Sequence, residues 1–160
     1  MEYTTIESPV GPLLLAGNAE GLCYISFADK KRAVKPHRDW TESQKPFAEV
    51  IRQLRAYFRG DLREFDVPLN MAGTPFQIRV WESLRDIPYG ETTSYGELAR
   101  RIGKPEAVRA VGTANGSNPI PIIVPCHRVI GSDGSLTGYG GGLSVKEKLL
   151  ALESRQLRLL

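Results

Sequence analysis

Of the chain's two cysteines and two histidines, one of each stand side by side in Ile122-Ile123-Val124-Pro125-Cys126-His127-Arg128-Val129. Cysteine attacks as the thiolate, and an apolar setting of this kind raises its pKa unless a base or a cation offsets the burial. His127 and Arg128 supply such groups next door. Glu153, farther along, could orient and polarise the imidazole in a nucleophile–base–acid relay. In an extended chain adjacent side chains point to opposite faces, so His127 would reach the sulfur through a water. The same residues also fit a buried structural cysteine beside a hydrogen-bonded histidine. With only Cys23, Cys126, His37 and His127 as soft or imidazole ligands, a tetrahedral zinc site would need nearly all of them, and neighbouring Cys126 and His127 are awkward joint ligands. Cys23 falls in an apolar run and reads as core.

These residues need elements to position them. Tyr3–Ile6, Leu13–Ala16 and Leu22–Phe27 are short apolar-rich runs separated by turn chemistry at 8–12 and 17–21, which predicts a small antiparallel sheet. Residues 29–45 are charged and without period, a loop. Phe47, Val50, Ile51, Leu54, Tyr57 and Phe58 recur at helical spacing, with Pro46 in the first turn and Gly60 as the stop. Phe65–Leu69 could add a strand. Thr74-Pro75 opens a helix with Phe76, Val80 and Leu84 on one stripe, ended by Pro88-Tyr89-Gly90. Ser94 with Glu97 carries a capping-box signature for a short helix to Arg101, stopped at Gly103.

A second short helix from Pro105 to about Asn115 completes a helix-turn-helix pattern. It is rich in small residues (Ala107, Ala110, Gly112, Thr113, Ala114) and can therefore approach another surface closely. Pro121 and Pro125 break any strand in 120–130. A glycine-rich loop follows, and a last helix runs from Ser144. On it Glu153 lies about 40° from Leu149, on the flank of the apolar stripe, where a carboxylate needs a partner. The fold class is α+β. A small N-terminal α/β unit with a short antiparallel sheet, 1–70, packs on a mainly helical C-terminal domain with the helix-turn-helix, 71–160.

A 160-residue chain that is 41% hydrophobic and 24% charged reads as globular. It should bury roughly 70% of its unfolded surface without metal or disulfide. No apolar stretch approaches the roughly 20 residues of a membrane span, and the N-terminus does not read as a signal peptide. Two cysteines are too few for a disulfide scaffold, and the expected location is the cytoplasm. Residues 1–70 carry 10 basic and 10 acidic side chains; 71–160 carry 11 and 8, so the whole net charge of +3 lies there. Within 99–109, Arg100, Arg101, Lys104 and Arg109 face only Glu106. Such a cluster fits phosphate contacts, and equally a solvated helix face.

The segment Pro125-Cys126-His127-Arg128-Val129 closely resembles the signature of the O6-alkylguanine-DNA alkyltransferases. So do Asn118-Pro119 before it, Tyr139 and Gly141-Gly142-Leu143 after it, and the Lys146–Glu153 helix. The resemblance extends back through Arg109-Ala110-Val111-Gly112, Ser94-Tyr95 and Tyr89-Gly90-Glu91, covering about Phe76–Glu153. It implies a cofactor-free DNA repair protein that acts once. Cys126 would take the alkyl group from guanine O6, and from O4-alkylthymine. His127 would be the base through a water, oriented by Glu153, with Asn118 bracing the turn that presents the cysteine. Tyr95 would give a proton at guanine N3.

The resemblance also implies minor-groove binding of double-stranded DNA by a monomer that flips the damaged nucleotide. The helix with Ala110 and Gly112 would sit in the groove, and Arg109 would fill the vacated stack. Arg100, Arg101, Lys104 and Ser132 would contact the backbone. Pro121, Val129, Tyr139 and Gly140 would line the base pocket. Gly140 stands where some relatives place serine, which implies room for bulkier O6 groups. Three other readings remain. An alkyltransferase-like protein would bind the lesion without transfer, although those relatives typically replace the cysteine. A helix-turn-helix regulator leaves Pro125–Arg128 and Glu153 unexplained, and a thiol hydrolase leaves the basic helix unexplained.

Overall fold

The computed structural model describes residues 1–158, with side chains as far as Ser154. The fold is α+β, and the chain divides into two compact units, Met1–Met71 and a second beginning at Ala72. In the first, β1 (Glu2–Ile6), β2 (Leu13–Asn18) and β3 (Gly21–Phe27) form an antiparallel meander. Turn residues separate them, as their glycines and prolines require. The charged segment read as a loop contains one further pairing. Two residues, β4 (Thr41–Glu42), run parallel to β1 at the sheet edge, giving the order β3-β2-β1-β4. Such a short edge strand leaves no periodic signal.

A single 3₁₀ turn at Lys45–Phe47, with Pro46 inside it, leads into α1 (Ala48–Phe58). Leu54 and Tyr57 on its apolar face are completely buried, as are Leu13 and Leu15 of β2. Phe65–Leu69 is not a strand. Its one ladder contact is a bridge from Leu69 to Leu22, and the Gln53 side-chain amide takes the place of a strand for Asp66, accepting from its N–H (2.9 Å) and donating to its carbonyl (3.0 Å). Pro68 has no N–H to give a ladder.

The second unit begins with α2 (Pro75–Leu84), whose N-terminus is a complete capping box between Thr74 and Gln77. Val80, Trp81 and Leu84 are buried, and the Trp81 indole donates to the Ala114 carbonyl at 2.9 Å. Then come β5 (Thr93–Ser94), α3 (Tyr95–Arg101), α4 (Val108–Gly116), β6 (Val129–Ile130) and α5 (Leu143–Arg158). The Ser94 hydroxyl caps α3 by accepting from Glu97 N–H, but only half of the expected box forms. The Glu97 carboxylate turns instead to Arg100 (2.7 Å) and Arg101 (3.6 Å).

The turn between α3 and α4 is also longer than the glycine alone suggests. Gly103 stops α3 at φ +78°, and 104–107 form a further turn closed by Ala107 N–H to Lys104 C=O, so α4 starts at Val108 rather than Pro105. β5 and β6 pair in parallel, Thr93 with Val129 and Ser94 with Ile130. Two strands of two residues each, far apart in sequence, carry no local signature, yet they tie the start of α3 to the residues that follow Cys126.

Candidate active site and nucleic-acid interface

Residues 118–128 fold through turns and side-chain hydrogen bonds rather than a ladder, because Pro119, Pro121 and Pro125 cannot donate. The Asn118 carboxamide spans the turn, accepting from Ile120 N–H (3.0 Å) and donating to the Val124 carbonyl (2.8 Å). Inside that turn Ile122 has φ +77°, the one non-glycine residue with positive φ among those described. A β-branched residue there costs about 1–3 kcal/mol and persists only where its surroundings enforce it. The chain then makes one 3₁₀ turn, Cys126–Arg128, and enters β6. Because 126–128 are helical rather than extended, the side chains of Cys126 and His127 do not diverge by the half-turn that an extended segment would impose.

Cys126, His127 and Arg128 are all buried. Burial pushes the Cys126 thiol up to about 11, against the pull of an Asn118 hydrogen bond and the Lys146 charge. His127 is fully buried, and its Nε2 lies 2.7 Å from Glu153 Oε2. Desolvation lowers the imidazole pKa in spite of that carboxylate, so the ring is neutral near pH 7, with Nε2–H donating to Glu153. Its Nδ1 is buried with no hydrogen-bond partner among the described residues.

Arg128 grips the same carboxylate twice, Nε to Oε1 (2.8 Å) and Nη2 to Oε2 (3.0 Å), while Nη1 donates to the Ile87 carbonyl (2.6 Å). Burial raises the Glu153 carboxyl, but its hydrogen bonds and charge interactions with His127 and Arg128 outweigh this and hold it at about 2. Glu153 therefore has the partner its position demanded, and more than one, since the Gly90 N–H also reaches Oε1 at 3.5 Å.

Lys146 carries no carboxylate partner among the described residues. Completely buried, it donates through Nζ to the carbonyls of Val129 (2.6 Å) and Thr137 (3.1 Å), and desolvation lowers its pKa. Its residue type and its place in a helix do not mark it for chemistry. Its signal is positional: Lys146 precedes Glu153 by seven residues, two turns up the same helix face. Asn115, buried on α4, sets its amide 3.5 Å from the Cys126 carbonyl and was equally unforeseen.

Tyr95 opens α3 and is half-buried, its hydroxyl 2.7 Å from Thr137 Oγ1 of the glycine-rich loop. Gly112 of α4 lies against it: a Cβ there would stand 3.8 Å from the Tyr95 ring. Arg109 and Ala110 are exposed on α4, and Lys104 and Ser132 are exposed in the flanking turns. Neither Lys104 nor Arg109 forms an ion pair among the described residues, whereas Arg100 and Arg101 share Glu97, so the basic cluster is partly neutralised from within. Pro121 and Val129 are buried, Tyr139 is half-buried and Gly140 is exposed.

Comparison with known proteins follows the same division. Residues 75–155 match the 6-O-methylguanine DNA methyltransferase DNA-binding domain, and residues 1–71 match the ribonuclease-like domain of the same proteins. The chain is 57% identical to a methylated-DNA–protein-cysteine methyltransferase of Methanosarcina barkeri, covering 99% of this chain and 100% of that protein. It is 56% identical to the protein of that name from Mycolicibacterium paratuberculosis, over 97% and 93%. Among solved structures, Mycobacterium tuberculosis OGT in complex with DNA superposes with a TM-score of 0.91 at 53% identity, covering 98% and 94%.

Proposed function

Since the chain belongs to the 6-O-methylguanine DNA methyltransferase family, we propose that it repairs alkylated DNA by moving the alkyl group of O6-alkylguanine onto its own Cys126. The observation that carries this reading is the buried His127–Glu153 pair at 2.7 Å, which leaves Nδ1 as the unpartnered nitrogen of the residue that follows the cysteine. Neutral His127 takes the thiol proton at Nδ1, through one water, as Cys126 becomes nucleophilic. The sulfur attacks the alkyl carbon in line, the bond from that carbon to O6 breaks, and its electron pair passes into the purine. Tyr95 gives its hydroxyl proton to N3, so guanine leaves neutral. Glu153 stabilises the imidazolium that forms. A thioether offers no leaving group to restore the thiol, so each molecule reacts once. The same displacement fits O4-alkylthymine, and no step calls for a cofactor.

DNA is the partner. α4 enters the minor groove, where Ala110 and Gly112 permit close approach, and Arg109 occupies the stack left by the flipped nucleotide at a cost of a few kcal/mol. Lys104 and Ser132 meet phosphates, with Arg100 and Arg101 giving up part of their hold on Glu97. Pro121, Val129, Tyr139 and Gly140 line the pocket, and Asn118 holds the turn behind the cysteine. The unit 1–70 is structural, the unit 71–160 carries catalysis and DNA binding, and the protein acts as a cytoplasmic monomer. No described helix is long and apolar enough to cross a membrane. A relative 57% identical over its full length is named as a methyltransferase and Cys126 is in place, which weighs against lesion binding without transfer.

Mass spectrometry after incubation with a duplex containing O6-methylguanine tests the reading. A single methyl on the peptide that carries Cys126, absent in Cys126→Ala, is expected. Tight binding with an unmodified cysteine would overturn it.

A further inference from the structure

Tyr95 and Thr137 come from different parts of the second unit, yet their hydroxyl oxygens lie 2.7 Å apart. Each hydroxyl has one proton, so only one of the two donates across this contact. If Thr137 donates, the Tyr95 proton is left free to point at a base; if Tyr95 donates, it is not. The placement of Thr137 is itself enforced, because its carbonyl accepts from Lys146 Nζ (3.1 Å) and the same ammonium holds the Val129 carbonyl (2.6 Å). Val129 in turn belongs to β6, whose pairing with β5 fixes Ser94 immediately before Tyr95. Ring, loop and strand are thereby closed into one circuit. Gly112 adds no side chain that would push the ring aside.

We propose that Thr137 is a positioning residue for Tyr95, donating its hydroxyl proton to Tyr95 Oη so that the tyrosine's own proton faces the departing guanine. This rests on the transfer reading and deepens it. When Tyr95 has given its proton to N3, the remaining phenolate oxygen keeps the Thr137 O–H, now as a charge-assisted bond that is stronger than the one before reaction. Thr137 transfers no proton itself. Its contribution is larger after the proton has moved than before, which is the condition for accelerating the step.

The test is a double-mutant cycle on single-turnover methyl transfer from duplex O6-methylguanine. Thr137→Val keeps the shape and removes the donor; it should slow transfer about tenfold, and Thr137→Ser should restore most of the rate. Affinity for undamaged duplex should stay at the parent value. In a Tyr95→Phe background, Thr137→Val should cost nothing more. Parent-like transfer by Thr137→Val, or the same loss in both backgrounds, overturns the proposal and leaves the transfer reading standing. A parent protein that takes up no methyl at Cys126 overturns both.

Discussion

Lys146 and Glu153 stand two turns apart on one face of α5, both at most 1% exposed, and each is directed to the segment after Cys126. Opposite charges at this spacing are too far apart along a helix for a direct pair, since only neighbours three or four apart meet. Each is satisfied elsewhere: the ammonium by the carbonyls of Val129 and Thr137, the carboxylate by His127 and Arg128. A buried charge is tolerated only when it is paired or fully hydrogen-bonded. One helix thus carries a cation that fixes backbone and an anion that fixes the His127 imidazole.

Glu153→Gln should expose that dependence. It removes the countercharge of buried Arg128 and should destabilise the protein by about 3–5 kcal/mol in urea unfolding, with transfer slowed at least tenfold as His127 loses its orienting anion. The pH signature is specific. The carboxyl ionises at about 2 when folded against an ordinary 4.5, so its stabilisation is complete above 4.5 and is lost as pH falls through that interval to 2. The parent should lose on the order of 3 kcal/mol there, and Glu153→Gln should lack this loss. Equal acid sensitivity of the two proteins would remove Glu153 from this role.

Cys126 should be a poor thiol toward simple reagents. With its pKa pushed to about 11, the thiolate fraction at pH 7 is on the order of one in ten thousand. It should rise tenfold per pH unit until that value is approached. Iodoacetamide labelling followed by peptide mass spectrometry checks this: slow labelling at pH 7 that climbs through pH 9 to 10 is expected. Rapid, pH-independent labelling near neutrality would mean that the thiolate is stabilised in the free protein rather than formed during reaction.

Much of this was legible in the chain because the signals are local. Caps at Thr74 and Ser94, the apolar stripe of α1 and the turn glycines all act within a few residues, and Glu153's need for a partner follows from helix geometry. What was not legible depends on long-range pairing. β4 and the β5–β6 pair are two-residue contacts, stable only because the surrounding fold brings them together. The segment 65–69 has strand-like composition, but the Gln53 amide serves its backbone instead. Lys146 looks like any helical lysine until α5 is packed. The Arg100–Arg109 cluster looked more cationic than it is, since Glu97 lies just outside it and occupies two of its arginines.

Arg109→Ala should separate DNA handling from chemistry. Arg109 is exposed on α4 and forms no ion pair among the described residues, so its removal leaves no buried charge behind and should change stability by less than about 0.5 kcal/mol. If it fills the stack beside a flipped base, repair of duplex O6-methylguanine should fall by more than tenfold, with free O6-benzylguanine nearly unaffected. Equal slowing on both substrates would contradict the role. Lys104→Ala, by contrast, should weaken duplex binding uniformly and reduce the salt slope by about one.

Gly140→Ser tests whether the proposed base pocket leaves room for a large alkyl group at this position. A Cβ built at Gly140 meets no heavy atom within 4 Å, and its φ lies outside the left-handed region that favours glycine, so the fold itself should accept serine at little cost. Any kinetic change then reports on the substrate side. If Gly140 borders the proposed base pocket, a hydroxymethyl group there occupies volume that a methyl lesion does not use and a benzyl group does. Rates on O6-methylguanine should therefore stay within about twofold, while rates on O6-benzylguanine fall by about tenfold, the order expected for a pocket mismatch of one to two heavy atoms. The serine keeps the backbone N–H at 140, so loss of a hydrogen bond to O6 cannot produce that difference. An unchanged benzyl-to-methyl ratio would show that Gly140 does not border the alkyl group.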